Sequence, residues 1–231
     1  MRSLAMRSRE EEQMDSPELG PSTYARILTD LGHVNSWTLA RRPTINFLAR
    51  ALGDARHFRL LDVGFGQGDM LRAIARWARR RGLSAELVGV DLNPKSAAVA
   101  RAATPSDLAI EYCTGDYREI GGGLDFVISN LVGHHMTDDQ LCVFLHYMEV
   151  EAQMGWMIND LHRHRFAYLG YPLLSRLLGW HRIVREDGQL SIARSFRPRE
   201  WRAILAEAGI EPSVAKIVRR FPFRLCVERQ R

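Results

Sequence analysis

A buried strand near residue 60 runs directly into a glycine-rich turn and then a helix, and few folds accommodate this arrangement. Residues 60–69 read LLDVGFGQGD, and apolar positions in residues 71–78 share one helical face. Glycines at such a turn permit positive φ and let a ligand lie against bare backbone. The next helix offers free N–H groups to a carboxylate or phosphate. This stretch predicts a site for a nucleotide-like cofactor.

The spacing of acids and glycines separates the candidate cofactors. Gly64, Gly66 and Gly68 run G-x-G-x-G, and Asp69 stands where a dinucleotide fingerprint has its third glycine. Asp62 precedes the first glycine by two residues. A carboxylate there repels a pyrophosphate and attracts the ammonium and sulfonium of S-adenosylmethionine. A nicotinamide dehydrogenase is therefore disfavoured.

Two further acids follow predicted strands. Asp91 stands 27 residues beyond Gly64, where a carboxylate accepts hydrogen bonds from ribose hydroxyls. Asp116 and the adjacent Tyr117 are candidates for the adenine amine and the adenine ring. The alternative for Asp116 is a turn or capping residue.

The hydrophobic period alternates between strand-like and helix-like, which predicts a doubly wound α/β sheet. Two helices precede it, so residues 1–57 form a predicted N-terminal helical cap and residues 58–231 the main domain. Thr137 and Gln140 make a capping box, and a hairpin is expected around Phe221-Pro222. The predicted strands are 58–63, 86–91, 108–113, 124–130, 156–160, 214–218 and 223–227.

Residues 161–190 interrupt this alternation with leucines and aromatics at helical spacing. They predict an inserted helical lid beside the ligand crevice. The aromatic side chains either line a pocket for a hydrophobic acceptor or pack in the core. They are Phe166, Tyr168, Tyr171 and Trp180.

Composition excludes several classes of protein. With 46% hydrophobic and 26% charged residues, the chain is globular. Cys113, Cys142 and Cys226 lack disulfide or zinc spacing, which favours a reducing cytoplasm. No apolar run reaches the ~18 residues of a membrane span. The net charge of +5 comes almost entirely from arginine, which indicates base composition rather than a nucleic-acid surface.

With these motifs, residues 59–231 resemble class I S-adenosylmethionine-dependent methyltransferases. The resemblance implies a Rossmann-like seven-stranded sheet with the last strand antiparallel. Residues 12–15 (EQMD), 158–163 and 186–196 are similar to small-molecule methyltransferases found beside type III polyketide synthases. That similarity implies secondary metabolism and an aromatic or polyketide-like acceptor.

The cofactor-binding residues are predicted from the motifs, from the resemblance and from the charge of one arginine side chain. Arg41 and its neighbour Arg42 are candidates for the methionine carboxylate, and the favoured alternative is that both are solvated. The predicted set is Asp62, Gly64, Gly66, Gly68, Asp91, Leu92, Asp116, Tyr117, Asn130 and Arg41.

Residues 129–136 follow strand four, where the family's acceptor and methyl group meet. They lack the Asn/Asp-Pro-Pro-aromatic motif of enzymes that methylate nucleic-acid bases, and they lack a magnesium-binding acid cluster. Imidazole accepts protons near neutral pH, so His135 is the first candidate base and His134 the second. The alternative is that one of them caps the next helix or packs on the cofactor. No metal is predicted, because adjacent side chains point different ways in regular structure.

His162 and His164 follow strand five and are either ligand-facing or surface residues. The expected function is O-methylation of a small hydrophobic acceptor, without nucleic acid as a partner. The alternatives are C- or N-methylation of a quinone-like or amine acceptor, and a non-catalytic protein that binds S-adenosylmethionine. The sequence leaves undecided whether the chain forms a homodimer.

Overall fold

The computed structural model describes residues 4–16 and 18–231, so residues 1–3 and 17 of the predicted N-terminal cap lie outside it. Seven strands form one sheet in the order β3-β2-β1-β4-β5-β7-β6. Their bounds are β1 His57–Val63, β2 Ser84–Asp91, β3 Glu111–Thr114, β4 Leu124–Asn130, β5 Ala152–Leu161, β6 Lys216–Arg220 and β7 Arg224–Gln230.

The sheet has the predicted topology. Strands β1 to β5 pair in parallel, whereas β7 lies antiparallel between β5 and β6. The Rossmann-like sheet with an antiparallel last strand is thereby confirmed. The strand order reverses between β1 and β4, and such a switch point leaves a crevice at the carboxyl ends of the strands.

Helices cover both faces of the sheet. Their bounds are α1 Pro21–Trp37, α2 Arg42–Ala51, α3 Asp69–Arg80, α4 Ser96–Ala103, α5 Asp138–Glu151, α6 Arg165–Leu177, α7 Arg182–Arg194 and α8 Pro198–Glu207. Phe47 of α2 packs with Phe58 and Phe126 in one apolar layer. Phe144 of α5 and Trp201 of α8 belong to the other layer. Residues of α2 therefore share a core with the sheet.

Several local predictions are confirmed and others are shifted. Thr137 and Gln140 form the predicted capping box of α5. Strand β3 begins at Glu111 rather than at residue 108, because Leu108 N–H bonds to Pro105 O in a turn. Strand β5 begins at Ala152, earlier than predicted, because backbone pairing with β4 extends it through a segment without a continuous apolar run.

The insertion consists of α6 and α7, which pack against each other. No helix within residues 4–16 and 18–231 is both long and apolar enough to cross a membrane. The lid function of this insertion stays a prediction.

The N-terminal segment 4–16 lies along α7. Ser8 N–H bonds to Ala193 O, and Arg194 Nη1 donates to Glu10 O. The carboxylate of Asp187 accepts the backbone N–H groups of Gln13 and Met14. These contacts bring the acidic residues of this segment to the carboxyl edge of the sheet.

Candidate active site

A cavity of about 770 Å³ lies at the carboxyl ends of β1, β2, β4 and β5. Its walls come from the glycine turn, from α1 and α6, and from residues 12–15 of the N-terminal segment. This volume is within the range of small-molecule sites. The lining contains Asp62, Gly64, Gly66, Asp91, Leu92, Tyr117, Asn130, Arg41, His134 and His135 from the predicted site.

The glycine turn places bare backbone against the cavity. Gly64 and Gly66 both have positive φ, at 76° and 55°. A side chain at Gly64 would overlap Val132. Glycine is therefore required at this position both by the positive φ and by the lack of space. Gly68, with φ of 74°, caps α3 and does not line the cavity. Its role is to let the chain turn beside Tyr112, which differs from the predicted cofactor contact.

Asp62 is a buried acid at the cavity with a polar but uncharged partner. Asn130 Nδ2 donates to its Oδ1 at 3.3 Å, and within the described residues no cation forms an ion pair with it. Burial raises the pKa of Asp62 well above its usual range. A positively charged ligand in the cavity would stabilise its ionised form.

The orientation of Asn130 follows from its other hydrogen bonds. Its Oδ1 accepts from Thr44 Oγ1 at 2.7 Å and from Asn159 Nδ2 at 3.2 Å. Both donors hold the amide oxygen away from Asp62, so the amide nitrogen faces that carboxylate. Asn130 therefore acts on the cavity by orienting Asp62.

Asp91 joins the end of β2 to the glycine turn. Its Oδ2 accepts from Gly66 N–H at 2.9 Å, and its Oδ1 accepts from Asn93 N–H at 2.9 Å. Each carboxylate oxygen has a second lone pair that can accept a further bond. Asp91 is thus held in place and still able to accept hydroxyl groups from a ligand.

Asp116 occupies a different environment from the predicted one. Its carboxylate caps residues 117–119, forms an ion pair with Arg118 at 2.6 Å and does not line the cavity. In this structure Asp116 is a capping residue, because its carboxylate accepts the N–H of Arg118 and pairs with the guanidinium of that residue. Tyr117 does line the cavity, and its ring packs on Phe144 and Tyr147.

Arg41 reaches the cavity but is already engaged. Its Nη1 bonds to Asp69 Oδ2 at 3.1 Å, and its Nη2 bonds to Ser36 Oγ at 2.6 Å. Arg42 is exposed at the start of α2 and does not line the cavity. Of the two arginines, only Arg41 is placed to meet a carboxylate in the cavity.

His134 is a buried histidine held by a buried carboxylate. Its Nδ1 lies 2.7 Å from Asp160 Oδ1, and its backbone N–H bonds to Asp160 Oδ2 at 2.8 Å. Burial by itself would raise the pKa of Asp160, but the charge and hydrogen bonds of His134 outweigh burial and lower it. This pair fixes the ring of His134 at the end of β5.

His135 is more accessible and has an equivalent arrangement. Its Nδ1 lies 3.1 Å from Asp15 Oδ2, its Nε2 lies 3.8 Å from Glu12 Oε2, and its side chain is 27% exposed. The rings of His134 and His135 are 4.3 Å apart. The expectation that they point different ways was wrong, because residues 133–135 form a 3₁₀ turn rather than regular structure.

Glu12 lies between the two histidine rings and the α7 helix. It accepts a hydrogen bond from Ser191 Oγ at 2.8 Å, and Arg194 Nε lies 3.9 Å away. Burial raises the pKa of Glu12 to about 7. Within the described residues, Glu12 and the two histidines bring one ligand atom each within 4.8 Å of one another, a spacing that can hold a metal ion. The guanidinium group of Arg194 already places a positive charge beside the carboxylate of Glu12.

A model of the methyltransferase domain family matches residues 60–150, the segment that contains the glycine turn, Asp91 and both histidines. No curated protein sequence matches the chain.

Solved structures extend the likeness over almost the whole chain. Magnesium protoporphyrin IX methyltransferase (ChlM) from Synechocystis PCC 6803, with bound SAH, has a TM-score of 0.57 at 17% identity, covering 95% of this chain and 91% of that one. A SAM dependent methyltransferase from Aquifex aeolicus has a TM-score of 0.62 at 16% identity, covering 92% and 98%. The plantazolicin methyltransferase BpumL, with SAH, has a TM-score of 0.65 at 14% identity, covering 91% of each chain.

Identities this low show the fold. The matched domain and the fold together support an S-adenosylmethionine-dependent methyltransferase, with S-adenosylmethionine as its cofactor.

Sequence reasoning missed the acids that surround the two histidines at the cavity. Glu12 and Asp15 are more than 100 residues away from His135 in the chain, and Asp160 is 26 residues from His134. The available signal was the set of three stretches at residues 12–15, 158–163 and 186–196, which meet here. Ser191 donates to Glu12, and Asp160 lies against His134.

The two histidines that follow strand five do not line the cavity. His162 and His164 are outside the cavity, and His164 caps α6 by accepting Phe166 N–H. Burial lowers the pKa of His162 to about 4. Both histidines thus belong to the joint between β5 and the insertion.

The insertion aromatics divide between cavity and core. Phe166 and Tyr171 line the cavity, whereas Tyr168 and Trp180 do not. Tyr168 is buried with Ile192 and Ala193.

For Tyr168→Ala we expect a loss of about 3 kcal/mol of unfolding free energy, because a buried ring leaves a cavity behind it. Acceptor preference should stay the same, and Tyr168→Phe should be close to wild type in both properties. Denaturant unfolding and acceptor kinetics on the two variants check this. A changed acceptor preference in a fully stable Tyr168→Ala protein would contradict the packing role.

Glu12 should make stability depend on pH. Its pKa is raised from 4.5 in the unfolded chain to about 7 in the native one, so the native state binds the proton more tightly. The resulting stabilisation is complete below about pH 4.5 and is lost as pH rises through about 7, by up to about 3 kcal/mol. The wild type should therefore lose up to about 3 kcal/mol of unfolding free energy relative to Glu12→Gln across this window, because glutamine has no proton to lose. Parallel stability curves for the two proteins would contradict this assignment.

Proposed function

We propose that this methyltransferase transfers the methyl group of S-adenosylmethionine to a hydroxyl of a small hydrophobic, aromatic or polyketide-like acceptor. The observation that carries the proposal is the His135–Asp15 pair, which faces the same cavity as the glycine turn and Asp91. Cofactor residues and a proton acceptor thus border one enclosed space.

The cofactor end of the cavity fits the charges of S-adenosylmethionine. Asp91 is positioned to accept the ribose hydroxyls, and the backbone of Gly64 and Gly66 permits close approach. Asp62 supplies a carboxylate without a cationic partner in the described structure, which suits the positive groups of the cofactor. Arg41 stands near enough to the cavity to meet the methionine carboxylate.

His135 is the residue that we assign to proton removal. Asp15 at Nδ1 favours the tautomer in which Nδ1 carries the proton and Nε2 is free to accept one. The acceptor oxygen forms its bond to the methyl carbon as the carbon–sulfur bond breaks, and the hydroxyl proton passes to Nε2. S-adenosylmethionine supplies an electrophilic methyl group, so positioning and partial deprotonation of the oxygen are sufficient.

The rest of the cavity favours an apolar acceptor. Its walls beyond the cofactor residues are mostly aliphatic and aromatic, as is usual for sites that hold such molecules. These walls include Ile27, Leu28, Leu31, Val34, Met136, Phe166, Tyr171, Leu174 and Val184.

A binding and transfer experiment tests the proposal. Calorimetry should give S-adenosylmethionine binding to the wild-type protein and no binding of NADH. A panel of phenols, quinols, amines and polyketide-like phenols, with methyl-labelled cofactor, should then give label on oxygen. Label on carbon or nitrogen would replace O-methylation with the alternative reactions, and binding without turnover on the whole panel would favour a non-catalytic partner. Equal rates with and without a chelator would exclude a metal ion at Glu12.

A further inference from the structure

Helix α6 exposes an apolar face that no other part of the described chain covers. Phe166, Leu169, Leu173 and Leu177 are 72%, 46%, 64% and 75% exposed. Their spacing of three, four and four residues places them on one side of the helix. Tyr168 is buried, so α6 packs on the protein by a different side.

The turn between β6 and β7 continues this face. Phe221 is 83% exposed and Phe223 is 40% exposed. The ring of His164 lies 5.0 Å from Phe223 and 5.5 Å from Phe166, so it connects the turn to the start of α6. We call α6 together with residues 221–223 the apolar face.

The cavity reaches the surface at the edge of the apolar face. Phe166, Leu174 and Phe223 line the cavity and are also exposed. Trp37, 66% exposed at the end of α1, lines the cavity as well. An acceptor entering here would pass exposed aromatic and leucine side chains.

Exposed arginines border the apolar face. Residues 161–185 contain five arginines, of which Arg163 is buried, and no acid; residues 212–227 contain four basic residues, of which Arg224 is buried, and no acid. Arg165, Arg176 and Arg219 are exposed, and none of the three forms an ion pair within the described residues. Arg165 and Arg176 lie along one edge of the exposed side of α6.

The arginines determine which kind of partner can bind the apolar face. A second copy of the chain would bring arginines against arginines, which is unfavourable. An anionic lipid surface would pair with them, and its acyl region would take the leucines and phenylalanines. Exposed aromatics at the border of apolar and polar groups are typical of membrane interfaces.

We propose that the apolar face docks α6 and the β6–β7 turn in the plane of an anionic phospholipid surface, so that a lipid-dissolved acceptor enters the cavity from the bilayer. The entry route rests on the proposed function; the docking does not. Leucine burial and arginine–phosphate attraction would contribute together, with each arginine adding roughly fivefold to the binding constant.

The test is sedimentation of the full-length protein with vesicles of phosphatidylcholine alone or mixed with phosphatidylglycerol. We expect binding to the mixed vesicles that weakens with salt, and at least tenfold weaker binding to phosphatidylcholine alone. Leu173→Glu/Leu177→Glu should weaken binding at least tenfold, and Arg165→Gln/Arg176→Gln should weaken it and reduce its salt dependence.

The matched control is Val143→Glu/Val150→Glu, which places the same charges on exposed valines of α5. It should bind the mixed vesicles like wild type, and thermal unfolding should show all variants folded. Absence of vesicle binding by the wild type, or equal binding by the Leu173→Glu/Leu177→Glu protein, would overturn the proposal. Self-association of the wild type that this double variant abolishes, without vesicle binding, would make a second copy the occupant instead.

The two proposals fail separately. Methyl transfer to a water-soluble phenol should be the same in wild type and Leu173→Glu/Leu177→Glu, because neither leucine lines the cavity. A wild type that binds vesicles but methylates nothing would overturn the proposed function and leave the docking intact.

Discussion

Replacing His135 with alanine is expected to slow methyl transfer by about 10²–10⁴-fold, the usual loss when a general base is removed. Nδ1 of His135 bonds to Asp15, so Nε2, which lies 3.8 Å from Glu12 Oε2, is the nitrogen assigned to accept the proton at the cavity. Cofactor affinity should stay close to wild type, because the contacts assigned to the cofactor involve other residues. The measurement is single-turnover transfer to a weakly acidic phenol, alongside a cofactor titration.

Asp15 and a surface histidine provide the controls for this experiment. Asp15→Asn should lower the rate less than the loss of the ring, because the imidazole stays but its tautomer is no longer held by a charge. His146→Ala, on the exposed side of α5, should have wild-type kinetics. A more acidic phenol should be affected less by the loss of His135, since it ionises without help. If the His135→Ala protein keeps wild-type rates on the weakly acidic phenol, His135 is structural and positioning alone drives transfer.

The architecture of the chain was predictable because the central strands β1, β4 and β5 are mostly buried on both faces. In residues 124–130 the apolar side chains are Leu124 and residues 126–128, and this short buried run predicts a strand; β4 matches its predicted bounds. The ends of β3 and β5 were predictable only roughly, because their limits depend on pairing with neighbours. Parallel strand order also located the crevice before any side chain was known.

The acids around the histidines could not be derived in the same way. Glu12 and Asp15 belong to an irregular segment without periodicity, and hydrogen bonds to α7 hold it there. The sequence placed His135 at the cavity but had no means of assigning its partner, because that contact spans 120 residues. Asp116 shows the opposite case: Arg118, two residues on, was visible in the sequence, and Asp116 forms the cap and the ion pair that its position allowed.

The second large effect is expected on cofactor binding when Asp91 is replaced. Asp91→Ala should weaken S-adenosylmethionine binding by roughly 10²–10⁴-fold if two charge-assisted hydrogen bonds, each worth about 1.5–3 kcal/mol, are lost. Asp91→Asn keeps the size of the side chain and should lose less. Asp107→Ala is the matched control, because it removes an exposed acid that is paired with Arg79 outside the cavity.

Asp91 also accepts the backbone N–H groups of Gly66 and Asn93, so its loss must be separated from a collapse of the glycine turn. Thermal unfolding of the cofactor-free variants measures that second effect, which we expect to be a small decrease, because both N–H groups can bond to water at this partly open site. Calorimetry on the folded Asp91→Ala protein then reports the ribose contact itself. Unchanged affinity in a protein of nearly unchanged stability would remove Asp91 from the cofactor site, and the ribose would have to be held by the backbone of the glycine turn.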